Sequence, residues 1–207
     1  MKYVYLVRHS SPFVEIENYE DYKNVSWKEY NKNMILSIEG EQKAKELCNI
    51  EELHNINNIY SSNSFRAIAT AKYLSEFNNV KIKLDDRINE REFGISYLNQ
   101  LPDDFTERSF NDKNYKIDNG ESLNEMDKRF NKFISETLKE NDKSIIVIHG
   151  IMLLSFLQNI CDFKYENKKI YVTYNGKKIV DEKPKSPGVY KITYNDEYEI
   201  VDVDVLN

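Results

Sequence analysis

Four short runs of β-favouring residues, set apart by segments of helical periodicity, constrain this chain more than any other feature. Tyr3, Val4, Tyr5, Leu6 and Val7 are contiguous and too few for a helix, which predicts a strand covered on both faces. NNIYSS (57–62), VKIKLDD (80–86) and KSIIVIH (143–149) read the same way. Ser37 starts a predicted helix to roughly Leu53, with Ile38, Ala44, Leu47 and Cys48 on one face. SFRAIATAKYLSEF sets Phe65, Ile68, Ala69, Tyr73 and Phe77 at helical spacing. Ser122 and Glu125 form a capping-box pattern before a stripe of Leu123, Met126, Phe130, Phe133 and Ile134. An apolar helix is expected from Ile151 to Ile160. This alternation implies the α/β class: a three-layer α/β/α sandwich around a mostly parallel sheet.

The sequence changes character after residue 160. KKIYVTYNGKK, KPKSPG and GVYKITYNDEYEIVDVDVL predict late antiparallel strands, with Asn175-Gly176 as a hairpin turn inside a lysine-rich hairpin at about 164–187. Val201, Val203 and Val205 alternate with Asp202 and Asp204, so the last strand should have one wet face and suit a sheet edge, where a homodimer would pair. Segment 13–35 is polar and irregular, and 88–120 is a poorly periodic excursion that would form a cap over about 95–120. With no internal repeat, residues 1–207 read as one domain.

Charge removes several classes of function. The chain has 29 Lys and Arg against 35 Asp and Glu, a net charge of −6. That is the wrong balance for nucleic acid, which needs a basic face to displace counterions. The longest apolar stretch, IIVIHGIMLLSFL, is interrupted by His149 and Gly150 and too short to span a bilayer. No leader with an apolar core and cleavage site precedes the first strand, and Cys48 and Cys161 are two isolated thiols in apolar, helical surroundings. A cytoplasmic protein with both thiols buried and inert, and no membrane partner, is expected.

In open α/β sheets, ligands gather beyond the carboxyl ends of the strands. Arg8 and His9 stand there after the first strand, Ser61 and Ser62 after the second, and His149 after the fourth. One histidine at a strand end is commonly structural; two at equivalent ends, one beside Arg8, point to a site. His54 lies in a polar stretch and reads as a surface residue. Arg66 falls in the first turn of a predicted helix, where the dipole disfavours a cation by about 0.3–1 kcal/mol. An anion bound at that helix start would compensate. Two guanidinium groups converging on histidines fit a phosphoryl group. The His and carboxylate spacing forms no recognisable metal-ligand set, so neither a metal nor another cofactor is expected.

VRHS, SSNSFRAIATA, INEREFG and VIHG resemble, in order, the signature blocks of the histidine phosphatase superfamily, which includes cofactor-dependent phosphoglycerate mutases. LSIEGEQKAKEL and GESLNEMDKRF resemble two further blocks, and Gly40, Gly94, Gly120 and Gly150 fall at motif positions. The resemblance covers residues 3–155 and implies the phosphoglycerate mutase-like fold. It also implies a phosphohistidine on His9, with Arg8, Arg66 and His149 on the phosphoryl oxygens. By the same resemblance Glu90 protonates the leaving oxygen and then activates water, and Ser62 adds a contact at the phosphate. Neutral His9 and protonated Glu90 together place the activity optimum on the mildly acidic side. Ser10 stands where the family usually has glycine.

The mutases carry a basic segment with paired arginines between the acid and the Gly-Glu-Ser block. Here 95–119 holds Arg108, Lys113 and Lys116 against Asp103, Asp104, Glu107, Asp112 and Asp118, with no arginine pair. Hydrolysis of a small phosphorylated metabolite is therefore the leading expectation. A phosphoglycerate mutase, a protein phosphatase and a non-catalytic phospho-ligand binder remain as alternatives. Trp27, Tyr19, Tyr22, Tyr30 and Tyr97 are candidates for the mouth of the site. The lysines of 164–185 suit either a solvated hairpin or steering of a phosphorylated ligand.

Overall fold

The computed structural model describes residues 1–14, 25–140 and 142–207. Its central sheet has six strands: β1 (Lys2–Arg8), β2 (Asn58–Ser61), β3 (Ile82–Leu84), β4 (Lys143–Ile148), β8 (Gly188–Tyr194) and β9 (Ile200–Val205), in the order β3-β2-β4-β1-β8-β9. The first four run parallel, while β8 and β9 are antiparallel additions. The expected contiguous runs follow from cover on both faces. Val4 and Leu6 of β1, with Ile146 and Ile148 of β4, pack under α5 (Leu123–Glu140) and α6 (Gly150–Ile160). The alternate residues Tyr5, Val7, Ile145 and Val147 face a second core beneath α3 (Phe65–Asn78). The three-layer α/β/α sandwich with late antiparallel strands is the observed architecture.

The capping signals act as the residues suggest. Ser37 Oγ accepts from the Gly40 amide at the start of α2 (Ile38–Glu46). Ser122 and Glu125 exchange side chain–backbone bonds of 2.8 and 3.1 Å at the start of α5. The α5 stripe is buried throughout. On α3 the sequence reading selects the wrong face: Phe65 and Phe77 are exposed, whereas Arg66, Ala67, Thr70, Ala71 and Leu74 are buried. Small alanines bring the helix close to the sheet, and the arginine turns inward to the site, so hydrophobicity alone misreads this helix. Ile38 is likewise exposed, and α2 gives way after Glu46 to two 3-10 turns.

Residues 162–182 form a three-stranded antiparallel sheet rather than a lone hairpin: β5 (Asp162–Glu166), β6 (Lys169–Tyr174) and β7 (Lys177–Glu182). Asn175 and Gly176 both take positive φ at the β6–β7 turn, as a two-residue hairpin requires. Lys164, Lys169, Lys177 and Lys178 are all ion-paired, Lys177 with Asp202 and Asp204 of the edge strand β9. The excursion includes one helix, α4 (Phe105–Asn111). A further helix, α1 (Trp27–Asn33), lies in the segment expected to be irregular. Cys48 and Cys161 are half-buried rather than fully enclosed. His54 is not a free surface residue, because Nε2 bonds the Cys48 carbonyl at 2.8 Å and the ring packs on Phe77. No helix among the described residues is long and apolar enough to cross a membrane.

Gly40 is required by close approach: a Cβ there would lie 2.0 Å from the Ser11 carbonyl oxygen. That contact seats α2 against the loop following β1. Gly40→Ala should therefore push this loop away and lower stability by about 1–3 kcal/mol, read as a fall in the urea midpoint.

Candidate active site

The parallel register decides which side chains meet. Arg8 pairs with Ile148 across β1 and β4, so His9 and His149 leave the sheet side by side, with ring centroids 5.1 Å apart. The adjacent strand β2 ends at Ser61, and the chain turns through Ser62 and Ser64 into α3. Arg66, in the first turn of that helix, reaches both imidazoles: Nε donates to His9 Nε2 at 3.0 Å, and Nη2 donates to His149 Nδ1 at 3.0 Å. The side chains of His9, Ser62, Arg66 and His149 thus form one buried cluster.

Hydrogen-bond roles fix the tautomers. A guanidinium only donates and a carbonyl only accepts. His9 Nε2, which accepts from Arg66, therefore carries the lone pair, while Nδ1–H donates to the Ser10 carbonyl at 2.8 Å. In His149 the pattern is reversed: Nδ1 accepts from Arg66, and Nε2–H donates to Ser62 Oγ at 2.7 Å. Burial, then the nearby Arg66 charge, pushes His9 down to about 3 and His149 well below its ordinary value. Both rings are neutral near pH 7. Burial also lowers Arg66, to about 10, which still leaves it charged at neutrality.

Arg8 Nη1 donates to the Pro184 carbonyl at 2.6 Å, but its buried Nε has no partner among the described residues. This group packs beside Gly150, where a Cβ would meet Nε at an ordinary contact distance of 3.4 Å. An orphaned, buried donor on a cation suits an anionic ligand. Glu90 stands at the start of α6, where Oε2 accepts from the Ile151 amide at 3.1 Å and Oε1 from Met152 at 3.3 Å. The Arg91 amide supplies a third bond, at 3.0 Å. Glu90 and His149 line one cavity of about 310 Å³ together with Trp27, Lys28, Asn31 and Lys32.

Other expected positions differ in detail. Ser62 is fully buried, and its hydroxyl serves His149 and Ser64. The Ser10 hydroxyl bonds the Gly40 carbonyl at 2.7 Å rather than facing a ligand. Trp27 stacks on Phe93 at the cavity wall, and Tyr97 is not part of that wall. Tyr19 and Tyr22 lie outside the described residues.

Four important positions were not singled out by the sequence. Thr70 accepts the Ser10 amide and donates to the Arg66 carbonyl. Ser186 Oγ bonds the His9 carbonyl at 2.8 Å. Arg91 is almost fully buried and ties the Glu121 and Tyr115 carbonyls to Ser109. Asn31 bonds Arg66 twice. Thr70 is one helical turn after Arg66 and Arg91 follows the acid, so both had a positional signal; Ser186 and Asn31 had none.

The family model of the histidine phosphatase superfamily (branch 1) matches residues 4–185, and the chain belongs to that family. Its fold is similar to that of a mycobacterial glucosyl-3-phosphoglycerate phosphatase, with 14% identity, a TM-score of 0.67, and 99% of this chain and 96% of that one covered. It is also similar to Mycobacterial hydrolase 1 (15% identity, TM-score 0.72, 100% and 98% covered). YhfR from Bacillus stearothermophilus is another neighbour (18%, 0.68, 97% and 95%). No curated protein matches the sequence.

The depressed histidines make stability depend on acid. Below about 6.5 the unfolded chain takes up protons that His9 and His149 refuse when folded. Stability carried by this difference is fully present above that value and is lost as pH falls toward 3. His9→Gln removes one such group. It should flatten the decline in unfolding free energy, read from urea titrations between pH 6.5 and 4, by up to about 1.4 kcal/mol per pH unit.

Proposed function

We propose that this protein is a metal-independent phosphomonoesterase that hydrolyses a small phosphorylated metabolite through phospho-His9. The observation that carries this reading is the neutral His9 whose Nε2 lone pair sits against Arg66, together with the orphaned donor on the adjoining residue, Arg8. A neutral imidazole is a nucleophile, and buried guanidinium groups favour a dianion arriving beside it. Nε2 attacks phosphorus in line, forming the N–P bond as the ester P–O bond breaks. Arg8, Arg66 and His149 hold the equatorial oxygens, where charge accumulates. Glu90, at the cavity wall, gives its proton to the leaving oxygen. It then takes one from the water that cleaves the N–P bond and releases inorganic phosphate.

The cap favours water over a retained bisphosphate. Its cations are engaged within the protein: Lys113 with Asp127 and Asn159, Lys116 with Glu125, and Arg108 over the Tyr115 ring and beside Asp104. The cavity of about 310 Å³ suits a small leaving group, and one fold neighbour is a phosphatase of a sugar phosphoglycerate. The optimum is expected on the mildly acidic side. Its acid limb belongs to groups other than His9, which stays neutral down to about 3.

Hydrolysis of p-nitrophenyl phosphate in excess chelator tests the proposal. Native turnover should survive chelation and fall at least about 10³-fold in His9→Ala, given the size of nucleophile losses. Turnover that persists in His9→Ala would overturn it. Glu90→Gln should slow an alkyl phosphate by about 10²–10⁴-fold and the aryl ester much less, because nitrophenolate leaves without a proton. Equal losses on both esters would remove Glu90 from the acid role.

A further inference from the structure

Arg66 has five N–H donors, and four of them are already occupied. Nε faces His9, one Nη2 donor faces His149, and the other Nη2 donor bonds Asn31 Oδ1 at 2.9 Å. One Nη1 donor bonds the Asn31 carbonyl. A single residue therefore presents two oxygens to two nitrogens of one guanidinium, which is how a phosphate binds it. Asn31 belongs to α1, a helix of 7 residues with none buried. Among the contacts that hold it are the Trp27–Phe93 stack, a Trp27 amide bond to the Ser96 carbonyl and this contact with Arg66.

We infer that Asn31 is a phosphate surrogate, occupying Arg66 in the resting protein, and that substrate must displace it. The inference rests on the phosphate site proposed above. With one Nη1 donor left, Arg66 has no pair of free N–H groups for a bidentate phosphate. Asn31 has to withdraw, and Arg66 Nε must release the His9 lone pair. The exchange favours the ligand, because two neutral oxygens compensate a buried guanidinium less than a dianion does. Occupancy by Asn31 meanwhile spares the empty site an unpaired buried cation. Asn31 thus sets the affinity for the phosphoryl group, and its face of α1 moves when that group enters. Lys28, one turn before Asn31, and Lys32 line the same cavity and travel with the helix.

Calorimetric titration with inorganic phosphate at neutral pH reads this without turnover. Asn31→Ala keeps the backbone contact and loses the side-chain one. It should bind phosphate about three- to tenfold more tightly than the native protein, the size of one charge-assisted bond removed from competition. Asn31→Asp places a carboxylate against Arg66 and should weaken phosphate at least tenfold, as an internal anion competes better than an amide. A single cooperative thermal transition in each variant shows that both are folded. Weaker binding by Asn31→Ala would make Asn31 a ligand of the phosphate, and unchanged binding would leave it without a role; either overturns the inference. If the native protein binds no phosphate, the phosphate-site reading fails, and this inference fails with it.

Discussion

Burial of the Arg66 guanidinium between two imidazoles is the constraint on which the rest of the site depends. A cation enclosed by protein is stable only if its donors are satisfied, and here two of them end on ring nitrogens. Those bonds require a lone pair on His9 Nε2 and another on His149 Nδ1. Each ring must then donate through its other nitrogen, to the Ser10 carbonyl and to Ser62 Oγ. One buried charge therefore dictates two tautomers, adds to the burial that keeps both histidines neutral, and leaves His149 Nε2–H to meet Ser62. It also explains the inward face of α3, where Ala67 and Ala71 bring the helix against the sheet.

The scaffold makes this arrangement possible through register. Because β1 lies between β4 and β8, Arg8 has Ile148 on one side and Gly188 on the other. The first neighbour delivers His149; the second brings the 184–187 loop over His9, where the Pro184 carbonyl takes Arg8 and Ser186 takes the His9 carbonyl. The late antiparallel strands are thus part of the site's construction. Ser10, at the family's usual glycine, fits because its hydroxyl turns away to Gly40 while its amide is held by Thr70.

Legibility in the sequence follows the length scale of each interaction. The strands were readable because two-sided burial leaves contiguous apolar runs, and the α5 stripe and both serine caps because their partners lie within a turn. The α3 face is not legible because its inward residues are chiefly alanines, a threonine and a buried arginine, which carry little hydrophobic signal. Arg8, His9, Ser62, Arg66, Glu90 and His149 were readable from their strand-end and motif positions, and the fold brings them together. Asn31 and Ser186 were not: their contacts span 35 and 177 residues and no local pattern announces them.

The cap and the proposed acid behave as one mechanical unit. Arg91 gives its amide to Glu90, while its guanidinium gathers Ser109 of α4, Tyr115 and the Glu121 carbonyl. Arg129 clamps the Glu121 carboxylate with two bonds of 2.7 Å and reaches back to the Arg87 and Glu90 carbonyls. Gly94 and Gly120 permit the closure, as a side chain on Gly94, already at positive φ, would strike the Gly120 backbone. Two buried or half-buried arginines are engaged within the protein in this way. The Glu90 carboxylate is instead fixed by backbone amides, from Arg91, Ile151 and Met152, while the buried Arg8 Nε has no partner among the described residues. The cap thus holds Glu90, the proposed acid, whereas α1 rather than the cap covers the Arg66 cation of the proposed phosphoryl site.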